Sequence, residues 1–161
     1  MKNNILIAYF SYTGNTRKIA EQIQNIIGGN LFEVEPEQGY SNDYNECETK
    51  ANKEVKEGYR PKLAVECKNI DYYDIVFIGT PNWFNTMAPP VATFLYENNM
   101  SGKTIIPFCT NGGGGLGHVV SDIRTFCNDS NILNPLEIYE SGGKNSESEI
   151  IKWLEKNGFR S

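Results

Sequence analysis

Apolar runs of strand length alternate with amphipathic helical stretches along nearly the whole chain, and this alternation limits the fold more than any other feature. Ile5-Leu6-Ile7-Ala8-Tyr9-Phe10 is the first run; Tyr73-Asp74-Ile75-Val76-Phe77-Ile78-Gly79 and Thr104-Ile105-Ile106-Pro107-Phe108-Cys109-Thr110 are two more. Strands that are apolar at every position are buried on both faces, which requires a parallel sheet with helices above and below it. Shorter strands are expected at Leu31–Glu35, closed by Pro36, and at Leu136–Tyr139. Pro107 is the discordant residue, because proline cannot donate to a central ladder.

The helical stretches fill the gaps. Residues 15–27 place Ile19, Ile23, Ile26 and Ile27 on one face, and Gly28-Gly29 end the helix. Val91–Asn98, Val119–Cys127 and Ser146–Lys156 follow, the last with Ser146 and Glu149 as a capping box. Between Gln38 and Lys62 a polar loop precedes a helix that ends near Gly58. Five strands in 161 residues fit a doubly wound α/β sandwich, read as one domain over residues 1–161. Ligands of such sheets bind beyond the carboxyl ends of the strands.

The loops at those ends carry the chemistry. Ser11-Tyr12-Thr13-Gly14-Asn15-Thr16 joins the first strand to the first helix. A helix N-terminus offers unpaired N–H groups and the positive end of a dipole, so the loop suits a phosphate. The hydroxyls of Ser11, Thr13 and Thr16 can add hydrogen bonds, and Gly14 allows close backbone approach. The third strand runs into Thr80-Pro81-Asn82-Trp83-Phe84-Asn85, whose aromatic pair either stacks on a flat ring or packs on the domain. The fourth runs into Thr110-Asn111-Gly112-Gly113-Gly114-Gly115-Leu116-Gly117-His118. Its bare backbone suits a polar ring edge, or else a flexible linker. No G-x-x-x-x-G-K-[ST] motif is present, which disfavours a nucleoside triphosphatase.

Composition removes other classes. A net charge of −5 argues against nucleic acid, which needs clustered Lys and Arg. No apolar run reaches the roughly 18 residues of a membrane span, and Met1-Lys2-Asn3-Asn4 enters a strand at once, so a cytoplasmic location is the expectation. Cys47, Cys67, Cys109 and Cys127 form no C-x-x-C pair and the chain has one histidine, which points to free thiols rather than a metal or disulfide framework. His118 either flanks a helix start or donates to a ligand. Cys109 is either a small buried hydrophobe or a thiol close to a ligand. Tyr9 is read as packing, and Tyr12 as packing whose backbone helps form the phosphate loop.

The three loops together resemble those of flavodoxins. The first matches the family's phosphate loop. Gly79-Thr80-Pro81-Asn82-Trp83-Phe84-Asn85-Thr86-Met87-Ala88-Pro89 is similar to the family's G-x-P-x-W-[WF]-x-[ST]-x-x-P, and Cys109-Thr110-Asn111-Gly112-Gly113-Gly114-Gly115-Leu116-Gly117 to C-T-S-G-G-S-G-[IL]-G. The resemblance implies the strand order 2-1-3-4-5 and bound flavin mononucleotide (FMN). It also implies cofactor contacts at residues 11–16, 80–85, 110–114, Gly117 and His118. It implies electron transfer between redox partner proteins, with no catalytic side chain needed. An NAD(P)H-dependent reductase of FMN or quinones on the same fold is the alternative. No Tyr or Trp on the fourth loop would cover the second flavin face, which keeps that alternative open.

Asn82, Asn85, Asn111, Gly114 and His118 depart from the family's usual residues. In flavodoxins a peptide beside flavin N5 rotates on one-electron reduction and stabilises the semiquinone. If Asn82–Trp83 is that peptide, no glycine eases the rotation. A smaller semiquinone fraction than in a glycine-containing carrier is then expected during stepwise reduction followed by absorbance.

Overall fold

The computed structural model describes residues 4–160. Its parallel sheet contains β1 (Ile5–Tyr9), β2 (Asn30–Glu33), β3 (Ile75–Trp83), β5 (Thr104–Asn111), β6 (Asn131–Ile132) and β7 (Leu136–Tyr139), with β4 (Thr86–Met87) antiparallel to the end of β3. The order is β2-β1-β3-β5, and both β6 and β7 pair with the outer side of β5. This is the doubly wound order 2-1-3-4-5, with its last strand in two pieces.

Pro107 explains the split. Thr104 N–H donates inward to Asp74 O, and Ile105 O accepts outward from Leu133 N–H. Direction alternates along a strand, so residue 107 faces outward, where proline has no N–H to give. β6 pairs with Thr104 and Ile105, β7 with Phe108 to Asn111, and the interruption falls around Pro107. Pro107 still sits in register opposite Ile78 on its inner side. A proline in a central strand is tolerated here because the adjoining edge strand leaves the ladder.

The helices are α1 (Asn15–Ile27), α2 (Tyr44–Glu57), α3 (Pro89–Glu97), α4 (Val119–Phe126) and α5 (Ser146–Lys156). α1 and α5 cover one face, packing Ile19, Ile23, Ile150 and Leu154 against Ile7, Phe77, Ile106 and Phe108. α3 and α4 cover the other, packing Val91, Phe94, Val119 and Ile123 against Leu6, Val76, Ile78 and Ile105. The alternation of Leu6 and Ala8 with Ile7 and Tyr9 between the two cores is the period of a strand buried on both faces.

Ser146 and Glu149 do not form a capping box. Asn145 is the N-cap of α5, with no side-chain capping bond, and the buried Ser146 hydroxyl donates to Gln22 Oε1 of α1 instead. Packing α5 against α1 buries Ser146 and gives its hydroxyl a tertiary partner. Asp43 does cap α2, accepting from Glu46 N–H at 3.1 Å, and Gly58 ends that helix in the left-handed conformation. Among the described residues no helix is long and apolar enough to cross a membrane, and no cluster of three or more His, Cys, Asp or Glu is placed to hold a metal ion.

Candidate functional site

The carboxyl ends of β1, β3 and β5 lie side by side, and their loops meet. Beyond β1, Gly14 has φ +100° and turns the chain into α1. The Ser11 hydroxyl accepts from Gly14 N–H (3.1 Å) and Arg17 N–H (3.2 Å). The N–H groups of Thr13, Asn15 and Thr16 have no protein acceptor among the described residues. An oxygen already sits where an anion's oxygen would be held, beside donors left over for more. Thr16 is buried, and its hydroxyl pairs with that of Thr110 at 2.7 Å, joining the first loop to the end of β5. With Thr110 as the donor, the Thr16 proton remains available to an anion.

The third-strand segment is a hairpin, which the sequence did not signal. Asn82 and Trp83 pair with Met87 and Thr86, leaving Phe84-Asn85 as a two-residue turn with φ +55° and +69°. Positive φ at both turn residues is the condition of the type I′ hairpin, usually met by Asn-Gly. Asn85 suits it; Phe84 is strained there and stands 41% exposed at the tip. Trp83 is half-buried, with its ring edge-on to Phe10, Tyr12 and Tyr40 at centroid distances of 5.3, 5.8 and 5.0 Å. Thr80 faces the interior: its hydroxyl donates to Pro81 O and accepts from Ala88 N–H, pinning the base of the hairpin.

The glycine loop is held to this hairpin. Asn82 Nδ2 donates to Gly115 O (2.8 Å), and His118 N–H donates to Asn85 O (2.6 Å). Asn111 is buried, donating to Glu137 and to Ile138 O while accepting from Gly113 N–H, so its side chain anchors the loop's root to β7. Gly112 and Gly114 are exposed, and their N–H groups have no acceptor among the described residues. His118 is exposed, with its main chain as the N-cap of α4 and no capping bond from its side chain. Gly117 has φ +51°, and a Cβ there would meet Asn85 O at 2.8 Å. Gly117→Ala is therefore expected to lose about 1–2 kcal/mol of stability in thermal unfolding, by separating the two loops.

Bonds and ring contacts join residues 11–16, 81–85 and 112–118 at the carboxyl ends of β1, β3 and β5, and the Thr80, Thr110 and Asn111 side chains brace them from within. A family comparison decides what the frame is: the sequence model of the flavodoxin family matches residues 4–157. The chain belongs to the flavodoxin family. Among solved structures, a candidate flavoprotein from Bacteroides eggerthii is 31% identical, covering 96% of this chain and 97% of its own, with a TM-score of 0.84. A flavoprotein from Lactobacillus acidophilus, solved in complex with FMN, is 25% identical over 94% of this chain and 99% of its own, with a TM-score of 0.74. A flavodoxin from the domain Archaea shares the fold at 17% identity, covering 96% of this chain and 94% of its own, with a TM-score of 0.62. No curated protein matches the chain.

Two features of the site were not legible beforehand. Arg17, in the first turn of α1, binds the Glu33 carboxylate at the end of β2, and the Tyr9 hydroxyl donates to the same carboxylate at 3.3 Å. The cation beside the first loop is thus already paired. The second feature is Tyr40, which enters from the segment after β2. Neither shows a periodicity or motif.

Cys109 lies at the end of β5 but is fully buried, and its burial, with Glu137 nearby, pushes its thiol up to about 12. Cys127 is pushed up to about 11 by burial. Both are protonated near neutrality, hence poor nucleophiles. Alkylation of the native protein at pH 7.5 is expected to spare both and to label both after unfolding, as read by mass spectrometry.

Proposed function

We propose that this protein binds FMN across the three loops and carries electrons between partner proteins. The observation that carries this reading is the donor set: N–H groups of Thr13, Asn15 and Thr16 left unpaired at the start of α1, beside the open backbone of Gly112 and Gly114. A phosphate dianion answers the first group, and the C=O, N–H, C=O edge of a flavin answers the second. Bound FMN supplies the redox chemistry, accepting electrons from one protein and passing them to another.

The chain's own part is to bind, orient and shield. Ser11, Thr13 and the α1 N-terminus would hold the phosphate. The hairpin carrying Trp83 and Phe84 would flank the ring on one side and the glycine loop on the other. Glu35, Asp43, Glu46 and Glu48 are exposed along the segment from β2 into α2, and exposed Glu137 and Glu140 follow the glycine loop on and after β7. Such an acidic border favours partners with basic faces and a salt-dependent association rate.

A second reading, an NAD(P)H-dependent reductase, is favoured by one observation: the exposed glycine loop carries no aromatic cover. An absorption spectrum after adding FMN and desalting, then NADH and NADPH, separates the two. Retained yellow bands with no bleaching are expected. Rapid bleaching would establish the reductase, and failure to retain flavin would overturn both.

A further inference from the structure

The segment between β2 and α2 lies across the ends of β1 and β3 like a strap. Its root is fixed by Val34 N–H to Tyr9 O and by a bridge of Pro36 to Leu63, flanked by Glu37 N–H to Lys62 O and Ala64 N–H to Glu35 O. Its far end is fixed by the cap of α2, where Asp43 accepts from Glu46 N–H and Ser41 Oγ donates to Glu46. Between these anchors, two contacts reach into the flavin loops. Tyr12 of the phosphate loop donates its hydroxyl proton to Ser41 O at 2.6 Å. Tyr40 packs its ring edge-on against Trp83 (5.0 Å, 88°) and Phe10 (5.9 Å, 74°).

Tyr40 is itself held from behind. Its hydroxyl donates to Glu54 Oε1 of α2, and Glu54 is only 7% exposed. A carboxylate at that depth needs a donor, and the phenol provides it. Lys50 Nζ lies 5.0 Å from the centre of the Tyr40 ring. The ring's place is therefore fixed by a hydrogen bond at its tip, a cation on its face and two aromatic neighbours.

Trp83 depends on that place. It is the last residue of β3 before a turn with two left-handed residues, so its backbone is committed but its indole is not. On the α2 side of the indole lies a cleft of about 170 Å³, bordered by Tyr12, Tyr44, Cys47 and Phe84. Without Tyr40 the indole could swing into that space, and the hairpin would present a different surface to the flavin loops.

We infer that Tyr40, anchored by Glu54, is a positioning residue that holds Trp83 beside the phosphate loop and so sets flavin affinity from outside the three loops. The inference rests on the FMN reading above. It assigns Tyr40 no contact with the flavin; Tyr40 acts through Trp83.

The test compares Tyr40→Phe and Tyr40→Leu in the full chain. The phenylalanine keeps the ring and the edge-on contacts; the leucine removes them. Because the strap has its own anchors, both variants are expected to fold, as checked by thermal unfolding. In flavin-free protein, Tyr40→Leu is expected to shift Trp83 emission to the red and raise its quenching by acrylamide, and Tyr40→Phe, which keeps the ring but loses the bond to Glu54, to fall between Tyr40→Leu and the parent. Trp153 is 6% exposed and gives a constant background in all three. In FMN titrations Tyr40→Leu is expected to bind about tenfold more weakly, from the loss of two aromatic contacts, and Tyr40→Phe to recover part of that loss, the remainder reading the bond to Glu54. A folded Tyr40→Leu with parental acrylamide quenching or parental FMN affinity would overturn the inference. If the parent protein binds no FMN, the cofactor reading fails, and the acrylamide comparison alone decides whether Tyr40 holds Trp83.

Discussion

Replacing Ser11 with aspartate is expected to abolish FMN retention while leaving the protein as stable as before or slightly more so. The Ser11 hydroxyl already accepts from two N–H groups at the start of α1. A carboxylate there would take over those bonds and gain about 0.3–1 kcal/mol from the helix dipole. It would also place a negative charge where the proposed FMN phosphate would sit. Two like charges about 4 Å apart near a protein surface repel by about 4 kcal/mol, roughly a thousandfold in affinity. The two effects have opposite signs, which separates a binding defect from a folding defect. Thermal unfolding reads the first, and absorbance after desalting with FMN reads the second. A Ser11→Asp protein that stays yellow would show that the phosphate is held elsewhere.

Gly79→Ala is expected to be the most damaging methyl that can be added to the sheet. Gly79 sits on β3 in register with Phe108 on β5, at the point where β3 leaves the core for the site. A Cβ there would lie 2.2 Å from Phe108 Cζ and 2.3 Å from Cε2. Phe108 is fully buried, so the ring has nowhere to retreat without displacing α1 and α5 neighbours. Overpacking of this kind costs about 2–3 kcal/mol, or about 6–10 °C in melting temperature for a chain of this length. Adding Phe108→Leu should return part of the loss, because the two positions share one volume. Independent, additive losses from the two substitutions would rule out the steric account. The conformational freedom of glycine is not the issue at Gly79, since its φ is not positive; the residue is small because a phenyl ring crosses above it.

Gly79 also illustrates what could be read from the chain in advance. It ends an apolar run, so its place at a strand end follows from the pattern alone. That its hydrogen faces Phe108 depends on the register of two strands whose sequence positions differ by 29, and no local signal sets that register. Pro107 shows the same limit from the other side. By local rule it is misplaced in a central strand. Only the gap between β6 and β7 shows that its missing donor faces a break in the ladder.

The three loops divide in the same way. Ser11, Gly14 and the unpaired N–H groups of the first loop are a local matter, because a strand, a turn and a helix start are contiguous in sequence. Asn15–Ile27 appears as a helix with the bounds its periodicity gives. The roles of Thr80, Thr110 and Asn111 were not local. Each carries a polar group into a buried setting, and each has a partner on a distant or newly formed element: Ala88 across the hairpin, Thr16 on α1, Glu137 on β7. Tyr40 lay outside every pattern, in a polar stretch whose only regular feature was the helix that follows.

The amino-acid sequence by itself determined the layers, the strand order through its family resemblance, and the three loops that form the site. These follow from periodicity and from short runs whose partners lie a few residues away. Tertiary structure alone decided which side chains of those loops are buried as braces and which stay exposed, how β6 and β7 divide the edge of the sheet, and that a tyrosine from outside the loops holds Trp83 in place. Those outcomes depend on contacts between residues far apart in the chain, whose energies exist only once the sheet has set their register.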